Sequence, residues 1–292
     1  MCTEFARIDA CTFTMGNDGP DAIVVDGEGP ARRVELSCYD IATTCVTNRE
    51  FSDFVRATKY VTDAERLGYS YVFYLQVSAE ARARARHTAA DLAWWLPVAF
   101  ASWQRPEGAG SHIHTRQEHP VVHVSWHDAQ AYCAWSGARL PTEAQWECAA
   151  RGGLEGRRFA WGDALHDADG WHANVWRGDF PNAPADDWHP GPVAVEAFAP
   201  NGFGLYNVCG NVWEWCEDWF APTYHVETEA RDPRFGRPTG RRALRGGSYL
   251  CHDSYCNRYR VSARSSNTPD STSGNVGFRV ARQEASPELP GP

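Results

Sequence analysis

Cys251 and Cys256 stand in the run Gly246-Gly247-Ser248-Tyr249-Leu250-Cys251-His252-Asp253-Ser254-Tyr255-Cys256-Asn257-Arg258-Tyr259-Arg260. Their surroundings are polar, aromatic and basic, with Arg245, Arg258, Arg260 and Arg264 close in sequence. Nearby positive charge lowers a thiol pKa and favours the thiolate, which is both nucleophile and metal ligand. A buried structural cysteine would have apolar neighbours instead. Cys133, in Ala131-Tyr132-Cys133-Ala134-Trp135, and Cys148 have them and read as packing. Two thiolates with four residues between them could hold a metal, form a reversible disulfide, or do nothing. Zinc wants four ligands, and no further Cys or His pair completes the set. His119 and His123 have the spacing, but Pro120-Val121-Val122 between them reads as extended chain that points them apart. A monovalent copper ion is satisfied by as few as two soft sulfur donors. On spacing alone a redox pair stands ahead of copper.

The same run, followed by Arg258-Tyr259-Arg260 and Asn267-Thr268-Pro269-Asp270, resembles the active-site segment of the formylglycine-generating enzymes. Similar blocks extend through most of the chain: Trp94-Trp95-Leu96-Pro97-Val98, His119-Pro120-Val121-Val122-His123-Val124-Ser125-Trp126, Arg139-Leu140-Pro141-Thr142-Glu143-Ala144 and Gly210-Asn211-Val212-Trp213-Glu214-Trp215. Most belong to a wider superfamily, and the two cysteines select its catalytic subgroup. The resemblance implies that Cys251 and Cys256 bind copper(I), with the substrate thiolate as third ligand. It implies that dioxygen is the oxidant and that a thioaldehyde hydrolyses to the aldehyde. Ser248 and Tyr255 match polar residues beside the thiols, Trp213 matches a wall of the oxygen pocket, and His252 and Asn275 match active-site neighbours. The implied partner is an unfolded or nascent sulfatase segment containing Cys-x-Pro-x-Arg.

Relatives also carry structural calcium. The matching positions are Asn174, Val175, Asp186 and Trp188 for one ion, and Asn207, Gly210, Val212 and Glu214 for a second, with carbonyls from Val175, Trp188, Gly210 and Val212. Calcium takes six to eight hard oxygens at flexible geometry, which loops can supply. Asn and Asp are also ordinary turn formers. Where animal secretory relatives have disulfide cysteines this chain has Ala150, Val261 and Val280, leaving Cys133 alone, as suits a reducing cytoplasm. Where some relatives hold the substrate arginine with acidic residues, this chain has Cys45 and Tyr69.

These residues must be positioned by elements with local signals. Thr47-Asn48-Arg49-Glu50, Ser125-Trp126-His127-Asp128 and Thr142-Glu143-Ala144-Gln145 each pair a hydroxyl N-cap with a polar acceptor three residues on, ahead of an apolar stripe. Ala79 to Trp95 is compatible with a solvated helix. Beyond Arg151 Gly, Pro, Asn and Asp crowd together, so ordered loops are expected, with short strands at Val193 to Phe198, Arg242 to Leu244 and Gly277 to Val280. The expected fold is α+β: a single irregular domain over residues 1–282, of the sulfatase-modifying, C-type-lectin-like kind. A polar, Pro-rich tail, 283–292, is expected to be disordered.

An apolar fraction of 43% with 13 Trp excludes a disordered chain. A net charge of −9 argues against nucleic acid, which demands a basic footprint. Met1-Cys2-Thr3-Glu4-Phe5-Ala6-Arg7 shows no apolar run behind a basic start, and no stretch reaches the ~20 apolar residues of a membrane span. A soluble, cytoplasmic, monomeric protein is expected, with reduced cysteines. One rival is a non-catalytic lectin-like binding module. Another is an iron-dependent sulfoxide synthase, whose helical bundle and His triad find no counterpart here.

Overall fold

The computed structural model describes residues 3–84 and 93–283. The expected tail lies outside them from 284 onward, as does the middle of the helix expected between Ala79 and Trp95.

Short strands and helices alternate along the first half: β1 (Phe5–Ile8), β2 (Cys11–Met15), β3 (Arg32–Leu36), β4 (Tyr39–Ala42), α1 (Asn48–Thr58), α2 (Asp63–Leu67), β5 (Tyr69–Phe73), α3 (Ala79–Arg84), β6 (Trp95–Ala99), α4 (Trp126–Ser136) and α5 (Glu143–Arg151). The expected caps are formed. Thr47 Oγ1 accepts the Glu50 N–H while Glu50 Oε2 accepts the Thr47 N–H, and Ser125 with Asp128 and Thr142 with Gln145 repeat the exchange. Thr62 and Glu65 build a fourth such box on α2, a helix too short to show an apolar stripe in sequence. α1 turns Phe51 and Phe54 into the core, where they meet Trp103 and Tyr132 edge-on.

The second half is mostly loop. Two-residue ribbons pair β7 (His166–Asp167) with β8 (Gly170–Trp171) and β9 (Gly178–Asp179) with β10 (Ala183–Pro184). The main sheet has the order β13-β12-β11-β14, from β11 (Trp213–Trp219), β12 (Arg242–Arg245), β13 (Arg264–Asn267) and β14 (Val276–Gly277), with a short α6 (Tyr224–Glu227) between β11 and β12. β15 (Ala281–Gln283) joins β4 and β1, so the two ends of the described chain share one sheet. Val193–Phe198 is not a strand. Asn211 Oδ1 accepts the Val193 N–H and Val195 donates to Glu118 O, so these backbone groups are satisfied without a ladder. Gly277–Val280 is a strand only at its first residue. The seven-residue β11 was not foreseen in a half that offered few long strands; five of its residues are buried, so it shows no polar alternation.

The main core is an aromatic-rich cluster joining both halves, with a smaller one of Phe73, Trp176, Trp188, Tyr249 and Leu250 beneath the cysteine loop. Buried guanidinium–carboxylate pairs cross the main core, among them Arg260–Glu28, Arg264–Glu143, Arg245–Glu147, Arg151–Glu147 and Arg279–Glu214. No helix among the described residues is long and apolar enough to cross a membrane.

Candidate active site

β12 ends at Arg245 and delivers the chain into Gly246 and Gly247, both at positive φ (90° and 73°). A Cβ on Gly247 would lie 2.8 Å from Tyr259 Cα and 2.9 Å from Arg258 O, so this close approach requires glycine. The loop that follows is fixed by its own backbone. Cys251 N–H donates to Ser248 O at 2.9 Å, and Tyr249 N–H to Asn211 O at 2.9 Å. The N–H groups of Tyr255, Cys256 and Asn257 all converge on His252 O, with Asn257 at φ 47° closing the turn.

This folding brings Cys251 and Cys256 side by side, Sγ to Sγ 2.6 Å, both buried and both free thiols. They line a cleft of about 460 Å³ open to solvent. The pair is electrostatically unequal. Burial pushes the Cys251 thiol up, and the neighbouring sulfur adds to that. Cys256 is lowered, first by the hydrogen bond with Cys251 and then, against burial, by the backbone N–H and guanidinium of Arg258. Cys256 is therefore the more acidic member of the pair.

The basic surroundings read from sequence reduce to Arg258 alone. Arg245, Arg260 and Arg264 are buried and neutralised by Glu147, Glu28 and Glu143, which come from distant parts of the chain. Arg258 itself pairs with Asp26 at 2.5 Å and donates to Cys256 O at 3.3 Å.

Ser248, Trp213, Tyr255 and Asn275 line the same cleft. Ser248 Oγ accepts from Asn275 Nδ2 (3.0 Å) and from the Leu250 N–H (3.3 Å), leaving its own proton to donate. Asn275 Oδ1 in turn accepts from Ser273 Oγ at 2.8 Å. The Tyr255 ring stacks on Phe180 (4.6 Å, 11°) and meets Trp94 edge-on. Burial and both thiols push its hydroxyl up to about 12, so it stays protonated at neutral pH. His252 is not brought to the cleft lining: its Nδ1 faces Ser254 Oγ (2.8 Å) and Asp253. The sequence analysis gave no site role to Tyr71, Trp94 or Trp95, which also line the cleft. The alternation Tyr69-Ser70-Tyr71-Val72-Phe73 was the available signal for β5, which carries Tyr71 there. Cys45 is buried against Glu214 Oε1 and cannot face a substrate, and Tyr69 is not among the cleft-lining residues.

As donors, two converging thiols fit a soft monovalent metal. For calcium the fit is uneven. Asn207 Oδ1 is buried without a hydrogen-bond partner while its Nδ2 donates to Ala194 O and Val195 O, an acceptor left for a cation or water. Glu214 does not fit as a free ligand. Its Oε1 accepts from Arg279 Nη2 and Cys45 Sγ, and its Oε2 from Arg279 Nε and Trp146 Nε1, which uses all its lone pairs. At the other position Asn174 Oδ1 accepts from Trp188 Nε1 (3.1 Å), so these two meet beside Val175, whereas the Asp186 side chain is exposed.

Fold and cleft together define a loop-rich α+β enzyme-like domain with a buried dithiol at the base of an open groove. The fold itself is that of PvdO from Pseudomonas aeruginosa, with a TM-score of 0.70 at 24% identity over 97% of this chain and 95% of that one. The family description "Sulfatase-modifying factor enzyme 1-like domain" matches residues 1–284, and the chain belongs to that family. It is 55% identical over 276 residues to the formylglycine-generating enzyme of Streptomyces coelicolor, covering 94% of this chain and 88% of the relative. It is also 46% identical, over 92% of this chain and 84% of the relative, to the inactive Cα-formylglycine-generating enzyme 2 of Bos taurus.

Proposed function

We propose that this protein is an oxidoreductase that converts the cysteine of a Cys-x-Pro-x-Arg segment, in an unfolded or nascent sulfatase, to Cα-formylglycine, with copper(I) on Cys251 and Cys256 and O2 as acceptor. The observation that carries the reading is the buried dithiol opening on a cleft of about 460 Å³. Family membership agrees with it, while the inactive relative makes a binding module the alternative to be tested.

Copper, when bound, supplies the one-electron and dioxygen chemistry that no side chain offers. The protein supplies the rest. The hydrogen bond with Cys251 and the backbone N–H and guanidinium of Arg258 lower the Cys256 thiol, which favours a soft thiolate donor at that position. The Ser248 hydroxyl, oriented by Asn275 and the Leu250 N–H, presents a proton to whatever occupies the cleft. Trp94, Trp95, Trp213 and Tyr255 wall the groove around the thiols. An extended peptide suits the groove, because β5 and the Ser271–Asn275 segment form one rim and Tyr255 and Arg258 contribute to its wall. We further propose that a structural calcium meets Asn207 Oδ1 with the carbonyls of Gly210 and Val212, where relatives place one.

The deciding experiment incubates a Cys-x-Pro-x-Arg peptide with the protein, copper and oxygen, and reads the product by mass spectrometry. Aldehyde formation that is lost in Cys251→Ser and in Cys256→Ser is expected. Peptide binding without conversion would establish the binding module instead.

A further inference from the structure

A second thiol pair lies outside the cleft. Cys11 opens β2 and is partly exposed, Cys148 is buried on α5, and their Sγ atoms stand 3.4 Å apart. The two elements are held against each other independently of the sulfurs. Gly16, directly after β2, donates its N–H to Glu147 Oε1 at 2.8 Å, and its carbonyl accepts from Arg151 Nη2 at 3.1 Å. The sulfurs therefore meet because the fold presents them to each other. A disulfide bond of about 2.05 Å asks them to close by roughly 1.4 Å.

We propose that Cys11 and Cys148 are a second redox-active pair, which a small disulfide of the glutathione class oxidises to a reversible bridge between β2 and α5. Cys11, the partly exposed member, makes the first attack. Its thiolate displaces one thiol from the small disulfide and forms a mixed disulfide. Cys148 then displaces the second small thiol from Cys11 and closes the bridge. Two protein thiols lose two electrons and two protons, and the small disulfide gains them as two thiols. The electrostatics support this division of labour. The hydrogen bond with Cys148 outweighs burial and lowers Cys11 to about 7, whereas Cys148 is raised by that bond and by its own burial. The proposal does not depend on the reading of the cleft.

The test treats the whole protein with oxidised glutathione, alkylates the remaining thiols, digests without reduction and maps disulfides by mass spectrometry. The wild type should yield a peptide cross-linked through Cys11 and Cys148 that dithiothreitol removes, and the same cross-link should persist in the Cys251→Ala, Cys256→Ala double variant. Cys148→Ala should stop at the mixed disulfide on Cys11. Bridging so long a loop should raise the melting temperature on the order of 5 °C, a rise that the conservative Cys11→Ser variant loses. The proposal is overturned if wild-type Cys11 accumulates as the mixed disulfide without a cross-link, or if oxidation is confined to Cys251 and Cys256.

Discussion

At the scale of single residues, the cleft chemistry divides between the donors and the groups that hold protons near them. Cys251→Ser and Cys256→Ser each replace a soft thiolate with a hard, weakly acidic hydroxyl. Either change should abolish tight copper(I) binding in a competition titration, whereas Cys133→Ser, buried on α4, should leave it intact. Ser248→Ala is more discriminating. Both acceptor positions of this hydroxyl are filled by Asn275 and Leu250, so what the substitution removes from the cleft is the free proton. Loss of a positioned proton donor costs on the order of 10²-fold in rate. We expect kcat to fall by about that factor with little change in KM for the peptide. An unchanged kcat would reduce Ser248 to an anchor for the Leu250 backbone.

At the scale of elements, the parts legible in sequence were those with local signals. Thr47, Ser125 and Thr142 announce their helices because a capping box is complete within four residues. The cysteine pair was legible from its polar, aromatic and basic run and from the family resemblance of that run, all contained in the one segment Gly246 to Arg260. What escaped was whatever depends on distant chain. The neutral fate of Arg245, Arg260 and Arg264 is decided by Glu147, Glu28 and Glu143. The absence of a strand at Val193–Phe198 is decided by Asn211 and Glu118. The link from β12 to the loop offers a test of this view. Gly247→Ala must place a Cβ 2.8 Å from Tyr259 Cα at φ 73°, a strain of about 1–3 kcal/mol. Because the strain falls where the loop leaves the sheet, peptide conversion should drop far more than global stability does. A variant with normal turnover would show that the loop relaxes without moving its cysteines.

At the scale of the whole molecule, a loop-rich body is tied together by buried charge rather than by long ladders, and both its proposed calcium and its ion pairs can be tested by stability. If a cation meets Asn207 Oδ1, added calcium should raise the melting temperature of the chelator-treated wild type by mass action. Asn207→Ala should remove that response, whatever the substitution itself costs through the two lost Nδ2 bonds. A wild type indifferent to calcium would leave water as the partner of that oxygen. The ion pairs make a sharper case at Glu147. Burial raises its carboxyl, but Arg151, Arg245 and the Gly16 N–H outweigh burial and lower it from 4.5 to about 2. A carboxyl depressed in the folded state contributes stability that is fully present above its unfolded pKa and is lost as pH falls toward its folded one. The window therefore runs from about pH 4.5 down to about 2, and the linked stability is about 3 kcal/mol. Glu147→Gln keeps the shape but removes the charge, taking the carboxylate from Arg151 and leaving Arg245 to Glu143 at 3.6 Å. Urea unfolding of both proteins at pH 7, 5, 4 and 3 should show a difference that is constant down to about pH 4.5 and then shrinks as Glu147 of the unfolded wild type takes up its proton. A difference unchanged at pH 3 would mean that Glu147 acts there through packing and its Gly16 hydrogen bond, and not through its charge.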